Sequence, residues 1–331
     1  MSCGEKKKYI IIYNSIYIYI YIKYIYIYKM EDNCKYVTIR GLKRLCNFKS
    51  DIYISDTQNG KEFLYNMVKS NNMFDGMSIF ICSDLLDFFV NDILDKISNK
   101  FILISGMSIK TCPKEALHEK GFYKLITNNF LIRWCSQNNT IQYHPKIVQV
   151  PLGLDYHVVY TYKNVQKFSK MIDGTTPVEQ EKYLIDVINN SKPFCERINK
   201  IYVNFDVNTD RFGQRNSCLK NIHPSLLEIY QQRLERTKTW TNTTKYAFVI
   251  SPYGNGMDCH RHWEALILGS ILIIKTKEFV KIFEDLPVLI VNDWKEINQK
   301  LLDDTIQIFK TRNFNYDKLT LDYWKKYFTA F

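Results

Sequence analysis

The stretch from Lys245 to Trp294, KYAFVISPYGNGMDCHRHWEALILGSILIIKTKEFVKIFEDLPVLIVNDW, leaves this chain few ways to fold. Tyr246 to Ile250 is an apolar run of strand length that stops at Ser251-Pro252 and enters a loop with glycines at 254 and 256. A helix is predicted from Asp258 to Leu268, with Asp258 as its N-cap and Gly269 just past its C-terminus. Two more apolar runs, Ile271 to Ile274 and Val288 to Val291, flank a short helical piece from Lys277 to Phe283. Strand, loop, helix, strand, helix, strand is the order of a parallel, doubly wound α/β sheet, whose ligands sit at the carboxyl ends of the strands.

At about 100° per residue, Asp258, Arg261 and Glu264 fall on one arc of the predicted helix, and Cys259, Trp263, Leu266 and Ile267 roughly opposite. One face therefore packs, Cys259 included, and the other presents charge. A glycine-bearing turn that opens a helix offers free N–H groups and the positive end of the helix dipole, which suits a phosphate. Arg261 can add a bidentate charge to that phosphate, and Glu264 can accept hydrogen bonds from a ribose diol. The plainer alternative is an exposed i, i+3 ion pair worth a few tenths of a kcal/mol. His260 and His262 point about 160° apart on such a helix and cannot chelate one ion together, so no metal site is assigned.

SPYGNGMDCHRHWEALILGSILIIK followed by DLPVLIVNDW resembles the donor-binding half of exostosin-like glycosyltransferases of the GT-B fold. By that resemblance Gly254, Asn255 and Gly256 match the glycine loop of a nucleotide-sugar pocket. Arg261 and Glu264 match the helix residues that bind the donor, and Gly269 to Ile274 match the following turn and strand. The family often has Pro where this chain has Leu272, outside the pocket residues. The resemblance implies an α/β protein of two Rossmann-like domains with C-terminal helices packing across their junction. It also implies a sugar moved from a nucleotide diphosphate donor to a glycan or other hydroxyl acceptor, with no metal or other cofactor required.

The 331 residues suffice for two domains, each with a core. Four segments are expected: an Ile/Tyr extension at 1–29, an acceptor domain at 30–157, a linker with a bridging helix at 158–199 and the donor domain at 200–331. Residues 9–28 are almost pure Ile and Tyr, a run of the kind an AT dinucleotide repeat encodes, so an artefact or recent extension is expected here, with Met30 as the true start. A membrane-anchoring helix over 9–28 is the rival reading, weakened by its central tyrosines and Lys23. An alternating strand is the other.

In the first domain, strands are expected at Lys35 to Arg40, Ser78 to Ser83, Phe101 to Ser105, Phe130 to Cys135 and Lys146 to Val150. Helices are expected at Gly60 to Ser70 and Asp84 to Ile97. SGM, RWCSQN and PLGLDYH lie at strand ends, where a parallel sheet presents its working loops. An inverting transferase needs a group to deprotonate the acceptor hydroxyl, and Asp155 or His157 can do so; the alternative is a turn cap and an interdomain histidine. In the linker, Thr175 or Thr176 can cap a helix with Pro177 in its first turn. The donor domain opens with a strand at Ile201 to Phe205. By the resemblance its first loop faces the donor phosphates, which makes Arg211 or Arg215 the second cation. Leu319, Tyr323, Trp324 and Tyr327 form an apolar stripe in the tail.

The net charge is +11, of which +4 lies before Met30. No basic and aromatic stripe and no zinc-finger spacing accompanies it, so a nucleic-acid partner is disfavoured. Nine scattered cysteines without a Cys-x-x-Cys pair point to reduced thiols in a cytoplasm-like compartment. A non-catalytic scaffold of the same fold, binding a glycan or another partner, is the alternative to an enzyme.

Overall fold

A computed structural model describes residues 33–50, 57–70, 72–156, 176–230 and 234–330. The Ile/Tyr run at 9–28, His157 and the expected hinge at 158–175 lie outside the described residues.

Two parallel sheets carry the fold. The first consists of β1 (Met77–Cys82), β2 (Phe101–Gly106), β3 (Leu131–Ser136) and β4 (Ile147–Gln149), hydrogen-bonded in that sequential order. The second consists of β5 (Ile198–Val203), β6 (Leu227–Ile229), β7 (Tyr246–Ile250), β8 (Ile271–Lys275) and β9 (Val288–Val291), in the order β6-β5-β7-β8-β9. Chain direction across that sheet reverses at β5: the chain steps one way to β6 and resumes on the other side at β7. Loops after β5 and β7 thus diverge at one point, where an open parallel sheet forms a crevice.

The two-residue period of the strands divides their side chains among three cores. Ile79, Leu103 and Trp134 face one way into a core with the helical segment 83–96, whereas Phe80, Ile104 and Cys135 face the other way. In the second sheet Ile201, Phe248 and Ile273 bury one face, and Tyr202, Val249 and Leu272 the other. The two inner faces share a single middle core with Trp240, Trp263, Trp324 and Phe328. The halves are therefore joined through apolar contact, and burial of that kind favours a fixed relation between the sheets.

Local chemistry explains the elements around this frame. Helix α1 (Ile39–Arg44) replaces the later part of the strand expected at Lys35 to Arg40. The Thr38 hydroxyl accepts the Gly41 N–H at 2.8 Å and so starts a helix, while Tyr36 and Thr38 still pair as isolated bridges with Thr320 and Gly153. Helix α2 (Thr57–Lys69) covers the helical pattern of Gly60 to Ser70. Helix α3 (Glu119–Thr127) went unanticipated. The linker helix α4 (Pro177–Asn189) is opened by a capping box between Thr176 and Glu179, with Pro177 in its first turn. Glu181 on α4 is buried, and its carboxylate accepts from the Lys35 and Tyr36 amides and the Tyr156 hydroxyl at 2.8–2.9 Å. Helices α5 (Gln214–Asn221) and α6 (Arg236–Thr243) lead to β7.

Helix α7 (His260–Ile267) follows β7, and α8 (Gln299–Phe309) follows β9. At the end of α7, Gly269 takes φ 76° and two backbone bonds, Gly269 N–H to Leu266 O and Ser270 N–H to Ala265 O, close a Schellman motif. The tail ends in α9 (Leu321–Lys325), which returns to the first sheet: Trp324 is buried and the Tyr327 carbonyl accepts from Arg133 Nη1 at 2.9 Å. Among the described residues no helix is long and apolar enough to cross a membrane, and no disulfide links the described cysteines.

Candidate functional site

A cleft of about 1070 Å³ lies between the carboxyl ends of the two sheets. Its first wall is formed by the loops after β2, β3 and β4, which are the SGM, SQN and PLGLD stretches: Met107, Gln137, Asn138 and Asp155 all line it. Its second wall comes from the loops after β5, β6 and β7 and from α7, with Phe205, Arg215, Tyr230, Gly254, Arg261 and Glu264. The reversal at β5 places the second wall's charged residues at the divergence of the β5 and β7 loops.

Two guanidinium groups dominate that wall. Arg215, on the first turn of α5, is buried; its Nε donates to Tyr253 O at 3.1 Å, and its Nη1 donates to Asp206 O and Thr209 Oγ1. Arg261 on α7 is half-buried and donates to Ser251 Oγ at 3.3 Å. Both lie 5.6 Å from the centre of the Phe205 ring. Among the described residues neither has a carboxylate oxygen within 4.0 Å. Burial, with a smaller push from the neighbouring Arg215 charge, lowers the Arg261 pKa to about 10, so the group keeps its proton at neutral pH. Two cations held close together, neither in ion-pair contact with a carboxylate, make a site that favours a polyanion.

Gly254 is what lets the Arg215 guanidinium sit there, since a Cβ at that position would overlap Arg215 Nη2. Two amides of the expected phosphate loop are already engaged: Tyr253 N–H donates to Gln214 Oε1 and Gly254 N–H to Gly256 O. The Asn255 and Gly256 amides make no hydrogen bond to the described residues, and Asn255 is exposed at the cleft. Glu264 is half-buried; its Oε1 accepts from Trp240 Nε1 at 3.2 Å, which orients the carboxylate beside Tyr202 and Arg261.

Asp258 departs from the expected role. Cys259, at φ −128°, ψ 143°, is the residue that caps α7, and Asp258 is buried one residue earlier. Its carboxylate accepts from Leu152 N–H at 2.7 Å and Trp263 Nε1 at 2.9 Å, and it lies 3.1 Å from His262 Nδ1. Its own N–H donates to Asn138 Oδ1 at 2.8 Å. Asp258 therefore ties the first wall to the second instead of capping a helix for a phosphate. Cys259 is half-buried and lines the cleft, a correction to its expected packing role; burial raises its thiol pKa.

Arg211 and Arg215 separate cleanly. Arg211 is exposed and ion-paired with Glu115, and neither residue lines the cleft, so its charge is already matched. Arg215 is the one the structure brings beside Arg261.

Sequence reasoning set His260 aside together with His262. His262 is fully buried between Asp258 and the Ser251 carbonyl. His260 instead faces the cleft, with Nδ1 2.7 Å from Gly153 O and Nε2 3.9 Å from Asp155 Oδ2. Helical angle alone gives the opposite directions of the two rings, but only the tertiary approach of the 153–155 loop gives His260 its partners.

Among the described residues no group of three or more His, Cys, Asp or Glu side chains is placed to hold a metal ion. No family model matches the chain, and no curated protein matches it.

Proposed function

We propose that this chain is a GT-B glycosyltransferase of exostosin-like type that transfers a sugar from a nucleotide diphosphate donor to a hydroxyl acceptor. The observation that carries the reading is the Arg215–Phe205–Arg261 arrangement: two cations with no carboxylate in ion-pair contact, at the reversal point of a parallel sheet, opening onto a cleft between two such sheets. A diphosphate supplies the missing anion. In transfer, the bond from the anomeric carbon to the diphosphate oxygen breaks, and the negative charge that develops on that oxygen falls to Arg261 and Arg215, so no resident metal is needed. The free oxygen of Glu264 accepts the ribose diol, and the Asn255 and Gly256 amides face the phosphate or the sugar.

The first wall receives the acceptor. Gln137 and Asn138 are buried and hydrogen-bonded, to Met107 N–H and to Ser108 O and Asp258 N–H, so they form a rigid polar floor. The test is release of nucleoside diphosphate from a panel of nucleotide sugars incubated with the full chain and a crude glycan pool. Release that requires the chain and is faster with the glycan pool than with water alone is expected. Binding of a nucleotide with no release from any donor would leave a non-catalytic scaffold and overturn the enzyme reading.

A further inference from the structure

His260 stands at the first turn of α7, one residue before Arg261, and its ring is held by the opposite wall. A carbonyl oxygen only accepts, so the 2.7 Å contact of Nδ1 with Gly153 O places the ring hydrogen on Nδ1. In the neutral imidazole Nε2 then carries the lone pair. That nitrogen is 3.9 Å from Asp155 Oδ2, too far for a hydrogen bond between them, and its lone pair can accept the hydrogen of one hydroxyl in the cleft. The side chain keeps 37% of its surface exposed, and both it and Asp155 line the cleft. A ring with its tautomer set from behind and its basic nitrogen in front is the arrangement a proton acceptor needs.

We infer that His260 is the general base of the transfer reaction and that Asp155 is a positioning residue for it. This rests on the donor reading above. In the step, His260 Nε2 takes the proton of the acceptor hydroxyl while that oxygen bonds to the anomeric carbon. The carbon–oxygen bond to the diphosphate breaks, its electron pair leaves on the phosphate oxygen held by Arg261 and Arg215, and the proton passes from the imidazolium to solvent. One displacement of this kind inverts the anomeric configuration. The base is thus built by both halves: α7 supplies the ring, and the loop after β4 supplies the carbonyl that orients it and a carboxylate, 3.9 Å from Nε2, that favours the imidazolium formed in the step.

The experiment uses the full chain and water as the acceptor. Nucleoside diphosphate affinity is measured by calorimetry, and diphosphate release from the nucleotide sugar of the tightest-binding base is then followed for wild type, His260→Ala and Asp155→Asn. Nucleotide affinity within about threefold of wild type is expected for His260→Ala, with release slowed about 10²–10⁴-fold and partly restored by added imidazole. Asp155→Asn is expected to slow release by a smaller factor, and the released sugar in the wild-type reaction to have inverted configuration. Retained nucleotide binding with release unchanged in His260→Ala, or a retained configuration, overturns the base assignment alone. Binding without any wild-type release overturns it as well. Absence of nucleotide binding overturns the donor reading and the base with it.

Discussion

The first sheet adds its strands in one direction, from β1 to β4, whereas the second places β6 and β7 on opposite sides of β5. Polar chemistry divides along the same line. At the ends of the first sheet, Gln137 and Asn138 are neutral, buried and hydrogen-bonded to the protein itself. At the reversal point of the second sheet, Arg215 and Arg261 are charged, at least half-buried and not in ion-pair contact with a carboxylate. A loop that crosses a continuous sheet edge can satisfy its polar groups on neighbouring loops. A divergence of loops leaves a gap that only a ligand fills, and cations that line such a gap are stabilised fully only when an anion arrives. Guanidinium charge without an ion-pair partner, more than pocket size, distinguishes the second wall of the cleft from the first.

The largest effect is expected where the walls are tied together. Asp258→Ala leaves Leu152 N–H and Trp263 Nε1–H buried without acceptors and should cost about 3–5 kcal/mol of stability, read from the denaturant midpoint. A loss under about 1 kcal/mol would mean that the two halves are joined by the apolar core alone.

Arg261→Ala comes next and should split the two properties. Nucleotide affinity is expected to fall about 10–100-fold, the loss of a charge-assisted contact of about 1.5–3 kcal/mol. The melting temperature of the free protein should hold or rise, because a desolvated cation beside Arg215 is removed. The pH dependence has a defined sign. Arg261 titrates in the folded protein near 10, below its unfolded value, so the unfolded chain binds more protons above that pH. The contribution of Arg261 to stability should therefore rise from about pH 10 upward, while nucleotide affinity falls over the same range as the cation is lost.

A smaller and mixed effect is expected for Gly254→Ala, whose methyl group displaces the Arg215 guanidinium. About 1–3 kcal/mol of stability should be lost, together with part of the nucleotide affinity. Arg211→Ala sets the lower limit: its partner is Glu115, so nucleotide affinity should stay within about twofold of wild type. A larger loss would place Arg211 in the site and blur the distinction between the matched and unmatched arginines.

β7, β8 and β9 were readable because they are nearly unbroken apolar runs and the loop and helix between them carry distinct punctuation: Pro252, Gly254 and Gly256 before α7, and Gly269 after it. The strands of the first sheet were equally legible, each within a residue or two. Short elements were not. β6 is three residues long, and α6 has the composition RTKTWTNT, with too little apolar periodicity to stand out. Asp258 looked like an N-cap because Asp is common there. Its real environment is set by Leu152 and Asn138, more than a hundred residues away in sequence, and no local pattern encodes that approach. The same holds for His260. Arg261 and Glu264 could be singled out because helical angle is a local property. Which of Arg211 and Arg215 faced the cleft depended on Gly254 and on Glu115, that is, on the fold.

Arg215 and Arg261 are proposed to hold a nucleotide diphosphate. Calorimetric titration of uridine, guanosine, adenosine and cytidine diphosphates into the full chain, and into an Arg261→Ala, Glu264→Ala double variant, tests it most directly. At least one diphosphate is expected to bind wild type at least tenfold more tightly than the variant. Equal binding to both proteins, or no binding to either, would mean that the two arginines hold no nucleotide diphosphate.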